Sequence, residues 1–140
     1  MPCSRVQFDS ERARSQVLRL LDYVALPGAA WLVSGRGYVR LSSGQVSPTE
    51  RPLVARAIAE HLSALDRRHW VTDPGRWCTL VDGGCIYSLG IGEHLLCVLA
   101  RGPISPADVF ARMDRVAALL ARMLGASYEG GAFRARTRRR

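Results

Sequence analysis

The segment Leu95-Leu96-Cys97-Val98-Leu99 is apolar at every position. Successive side chains of a strand point to opposite faces, so a run without polar alternation needs cover on both sides of its sheet. Trp31-Leu32-Val33 makes the same demand at a second place. The chain must therefore set helices on both faces of one sheet. Its 140 residues suit one such core, because two would leave only about 70 residues each and little buried area.

Periodicity supplies the cover. Ala13, Val17, Leu20, Leu21 and Val24 form the stripe of an amphipathic first helix, with Asp9 or Ser10 as its cap. A middle helix carries Val54, Ile58, His61, Leu62 and Leu65 on one stripe, with the small Ala55 and Ala59 beside it. Ser47 and Glu50 have capping-box spacing, but that start puts Pro52 fifth in the helix, so Thr49 is the expected cap. The last helix opens with Ser105 as cap, Pro106 at its first position and Asp108 at its positive end. It continues through Val109, Met113, Val116, Leu120 and Met123, and ends at Gly125.

Residues 29–33 and 38–41 read as a hairpin around Gly35-Arg36-Gly37, closed by Ser42-Ser43-Gly44. Residues 77–81, 85–89 and 95–100 read as three further antiparallel strands, parted by Asp82-Gly83-Gly84 and Gly90-Ile91-Gly92-Glu93. The Gly-x-Gly at 90–92 is a turn rather than a phosphate loop, since no third glycine and no helix follow it. The order α-β-β-α-β-β-β-α predicts a three-layer α/β sandwich on a five-stranded antiparallel sheet. The middle helix should lie alone on one face and the terminal helices on the other. Its Ala55 and Ala59 side then stays exposed in a single chain, and dimerisation would bury it.

Residues 9–125 are the expected domain, after an extension at 1–8 and before a basic tail at 126–140. Twenty arginines, no lysine and twelve acidic residues give +8. Arg134, Arg136, Arg138, Arg139 and Arg140 supply five of these charges, leaving a body of only +3. Nucleic acid is thus not the expected partner of the body; the tail is the candidate contact for RNA, anionic lipid or an acidic protein. No apolar run is long enough for a transmembrane segment. Arg5, Asp9, Glu11, Arg12, Arg14 and Arg19 also interrupt the N-terminus where a signal peptide needs apolar residues, so a cytoplasmic location is expected.

No catalytic residue, metal or cofactor is expected. The sequence has no Ser/His/Asp order with a nucleophile elbow and no clustered carboxylates. Cys3, Cys78, Cys85 and Cys97 form no C-x-x-C pair and read as buried thiols without disulfides. His94 and Cys97 have metal-like spacing but lack two further ligands, as His61 and His69 belong to the middle helix and its exit loop. Cys97, inside an apolar run, should stay protonated and inert. Arg36, in the first turn, should be solvated.

The element order and the segments Leu26-Pro27-Gly28-Ala29-Ala30-Trp31-Leu32-Val33-Ser34 and Tyr38-Val39-Arg40-Leu41-Ser42-Ser43-Gly44 resemble the roadblock/dynein light-chain family, over roughly residues 10 to 125. The resemblance implies homodimers or heterodimers with another roadblock protein, in which middle helices pair and third strands join two sheets. It implies a platform that binds small Ras-like GTPases or scaffolds motor and signalling complexes; the bacterial analogy is the gliding-polarity protein that stimulates its Ras-like GTPase. On this chain it implies a dimer seam of Val54, Ala55, Ile58, Ala59 and Leu62 with Trp77, Cys78, Thr79, Leu80 and Val81. Two other readings compete: an RNA- or anionic-surface-binding protein that uses the arginine tail, and a small-molecule sensor with a closed apolar pocket.

Overall fold

A computed structural model describes residues 11–25, 28–66, 75–81, 83–102 and 105–125. The N-terminal extension, Asp9, Ser10, Cys3, His69 and the arginine tail lie outside the described residues. The elements are α1 (Glu11–Val24), β1 (Ala29–Ser34), β2 (Val39–Gly44), α2 (Arg51–Asp66), β3 (Arg76–Val81), β4 (Gly84–Ile91), β5 (His94–Arg101) and α3 (Pro106–Leu124).

All strand pairs are antiparallel, in the order β2-β1-β5-β4-β3. The uninterrupted apolar run thus falls on β5, the central strand, where neighbours and both helix layers enclose it. Leu96 and Val98 point into the layer formed with Val17 and Leu21 of α1 and Met113 and Leu120 of α3. Leu95, Cys97 and Leu99 point the other way and meet Val54, Ala57 and Ile58 of α2. The expected sandwich is present, with α2 alone on its face. β3 and β2 are the two edges. They differ in form: β3 runs in unbroken register with β4 from Arg76–Leu89 to Val81–Gly84, whereas the β1–β2 register shifts between Leu32 and Val33, leaving Arg40 as a bulge.

Several sequence expectations need correction. Ser47, not Thr49, caps the middle helix. The Glu50 N–H donates to Ser47 Oγ (3.2 Å), and the Ser47 N–H donates to Glu50 Oε1 (3.0 Å). This reciprocal box tolerates Pro52 because the carbonyl deprived of a donor belongs to Pro48, and both prolines are exposed to water. Ser42-Ser43-Gly44 does not close the hairpin; those residues pair with Trp31, Ala30 and Ala29, since backbone pairing at an edge needs no apolar side chains. Gly90 and Ile91 likewise still pair, with Leu95 and His94, so the turn shrinks to Gly92-Glu93, with Gly92 at a φ of 59°. Ser105 stands at the N-cap of α3, but its carbonyl rather than its hydroxyl takes the first N–H groups, from Asp108 and Val109. Cys78 is exposed, not buried, because β3 is an edge.

Candidate functional site

The start of α2 is tied down from outside the helix. Arg101, at the end of β5, donates from Nη2 to Glu50 Oε1 (2.7 Å) and from Nε to Glu50 Oε2 (3.0 Å), and also from Nη2 to the Gln45 carbonyl (2.7 Å). The Arg101 guanidinium, and then the Ser47 N–H, hold the Glu50 carboxyl down at about 2. A depressed carboxylate stabilises the fold above its unfolded value of 4.5, and that contribution is lost as pH falls through 4.5 toward 2. Glu50→Gln is expected to flatten this acid limb of a melting-temperature profile and to speed amide exchange in the first turn of α2. The link was illegible in sequence: 51 residues separate the partners, and Glu50 advertises only its capping role.

From that anchor α2 presents two surfaces. Val54 and Ile58 point down into the chain's own core, only 7% and 6% exposed, and Leu62 packs half-buried against the same cluster. Ala55 and Ala59 are both exposed, Ala55 at the rim of a groove between α2 and β2. Ser63, four residues further and also exposed, extends this small-residue line, a continuation the apolar stripe could not reveal. The Arg56–Glu60 pair (3.8 Å) flanks it.

β3 lies beside this helix. Trp77 of β3 stacks on His61 of α2 with ring centroids 5.7 Å apart and planes 16° from parallel. Thr79 Oγ1 donates to Glu60 Oε1 at 3.4 Å, and Val81 packs against the α2-side cluster. Of the β3 residues in the seam implied by the family resemblance, Trp77, Thr79 and Val81 thus lie on the α2 side. Cys78 and Leu80 point to the opposite face of β3. Leu80 is 84% exposed there, an unusual position for a large apolar side chain.

Other polar groups are held for structural work. His61 is fully buried; its Nδ1 hydrogen-bonds with Ser88 Oγ, and Ser88 is 3% exposed. This histidine–serine pair is sealed between α2 and β4 and satisfies both polar side chains inside an apolar layer. His94 and Cys97 lie three residues apart on β5 and so point to opposite faces. His94 Nε2 sits 3.0 Å from Arg40 Nη1 at the bulge, while burial alone pushes the Cys97 thiol up to about 12. Among the described residues, no three His, Cys, Asp or Glu side chains gather in a metal-binding arrangement, and no helix is long and apolar enough to cross a membrane. Arg36 is exposed in its turn. An open groove of about 490 Å³ runs between α2 and β2 over Trp31, Val46 and Val54.

Burial, and then the Arg40 charge, hold the His94 imidazole below its ordinary value of 6.5. The unfolded chain then takes up this proton more readily than the folded one, so stability is full above 6.5 and declines as pH falls through it. Lowering the pH from about 7 to about 5 is expected to reduce the melting temperature of the wild type more than that of His94→Gln. Parallel profiles for the two proteins would show that His94 does not carry this effect.

The helix alone on one face, the helix pair on the other and the strand order between them define the class: the chain has the roadblock fold. No protein-family model matches the sequence, and no curated protein matches it. Among solved structures, MglB of Myxococcus xanthus superposes with a TM-score of 0.67 at 14% identity, covering 79% of this chain and 96% of that one. The gliding protein MglB from Thermus thermophilus gives 0.65 at 15% identity, covering 79% and 90%. A Roadblock/LC7 domain from Streptomyces avermitilis gives 0.64 at 16%, covering 77% and 97%. At these identities the likeness is one of fold.

Proposed function

We propose that this chain is a dimeric, non-enzymatic adaptor that binds and regulates a small Ras-like GTPase or scaffolds a polarity or motility complex. The observation that carries the reading is an α2 with exposed small residues on the same sheet face as the α2-side residues of the edge strand β3. The small side chains Ala55 and Ala59 are exposed on α2, and β3 is an edge strand in unbroken register with β4, so two copies can approach through the helices and extend one sheet into the other. The MglB likeness supports the same reading at the level of fold. An adaptor of this kind lends a surface that orders a GTPase's switch loops and need not donate a catalytic side chain.

Two measurements test it. Light scattering across a concentration series should give twice the chain mass; a monomer throughout would remove the paired surface. Small Ras-like GTPases from the same cell, loaded with a GTP analogue or with GDP, should then be retained by the immobilised chain in only one nucleotide state. Equal or absent retention in both states would overturn the GTPase part of the reading.

A further inference from the structure

Cys78 and Cys85 stand on the two arms of the β3–β4 hairpin. They are not directly opposed, since Cys78 pairs with Tyr87 and Leu80 with Cys85. They are diagonal neighbours on the sheet face that carries α1 and α3, and their Sγ atoms are 2.8 Å apart. Cys78 is open to solvent, Cys85 lies buried behind it, and Cys97 is sealed on the opposite face of β5.

We propose that Cys78 and Cys85 form an oxidisable dithiol site, which a hydroperoxide converts into an intrachain disulfide that ties the edge strand β3 to β4. The exposed Cys78 sulfur attacks a peroxide oxygen; the O–O bond breaks, an alcohol or water departs, and a sulfenic acid forms. The Cys85 sulfur then attacks the Cys78 sulfur. The S–S bond forms, the S–O bond breaks, and the hydroxyl leaves with the Cys85 proton as water. The two thiols thus lose two electrons and the peroxide gains them. Closure needs a movement of less than about 1 Å from the observed separation.

Proximity rather than acidity makes the site. Burial and the adjoining Cys85 thiol push the Cys78 thiol up to about 12, so its thiolate is scarce near neutral pH and oxidation should be slow and accelerate with pH. That behaviour suits a response to sustained oxidation. Both sulfurs belong to one hairpin, on the face away from α2, so the link itself needs no second chain.

Peptide mapping of the full-length chain decides the matter. Trypsin releases residues 77–101 as one peptide between Arg76 and Arg101, and it contains Cys78, Cys85 and Cys97. After prolonged treatment with hydrogen peroxide and alkylation in denaturant, this peptide should carry an alkyl group on Cys97 alone. Dithiothreitol before alkylation should restore all three, and the conversion should be faster at higher pH. Cys97→Ala should still form the link, whereas Cys78→Ser, an exposed and conservative change, should abolish it. Full alkylation of Cys78 and Cys85 after oxidation would overturn the proposal. So would a link from Cys78 to Cys3, to Cys97 or to a second chain.

Discussion

Ala59→Arg should turn a dimer into a monomer without unfolding it. Ala59 is exposed in the single chain, and arginine is nearly as good a helix former as alanine, so α2 should keep its helical content. In a two-fold pairing through α2, the substitution appears on both sides and places an unpaired charge in the contact each time. The expected effect is a rise in the dissociation constant on the order of a thousandfold, or about 4 kcal/mol. Light scattering should report the chain mass in place of twice that value, with an unchanged far-ultraviolet spectrum. Ala59→Ser, which keeps the residue small, should leave the dimer intact. An Ala59→Arg protein that retains the doubled mass would exclude the α2 seam.

Gly44→Val should damage the fold itself severely. Gly44 ends β2 with a φ of 89°, and a Cβ there would lie 2.5 Å from the Gly28 carbonyl oxygen and 2.7 Å from Ala29 Cα. Both obstacles are backbone and cannot swing aside, and a β-branched residue at positive φ is strained in any case. We expect a loss of about 3 kcal/mol or more in urea denaturation. Gly83→Ala is the matched control. Its φ is 80° but nothing lies within 4 Å of the added carbon, so only the conformational cost of about 1 kcal/mol should appear. Equal losses at the two positions would show that the close approach of β2 to residues 28 and 29 is not what requires the glycine.

Much of the fold was legible because burial leaves a periodic mark. The apolar run at 95–99 announced a strand of a sheet covered on both faces, and the stripes of Val17, Leu21, Met113 and Leu120 announced helices with one wet side. What stayed hidden was set by geometry between elements. The stripe through Val54 and Ile58 shows that a helix is apolar on one side, but not whether its own sheet or a second chain takes that side. The resemblance-based seam therefore joined two core residues to the exposed Ala55 and Ala59. The extension of β2 through Ser42 and Ser43 rests on backbone pairing, which polar side chains do not reveal. The convergence of Cys78 and Cys85 depends on hairpin register, so the intervening residues give no sign of it. Ser47 against Thr49 turned on whether water could satisfy one prolyl carbonyl, a question of exposure rather than of motif.

The bulge at Arg40 has a bearing on how far copies of this chain can add to one another. A strand whose ladder is broken by an extra residue is a poor template for a further strand, while β3 offers six residues in step with β4. Growth along the hydrogen-bonding direction thus has one open end per molecule. A two-fold union consumes both open ends at once and leaves only blunted ones outside, so the sheet caps its own extension instead of propagating into a fibre.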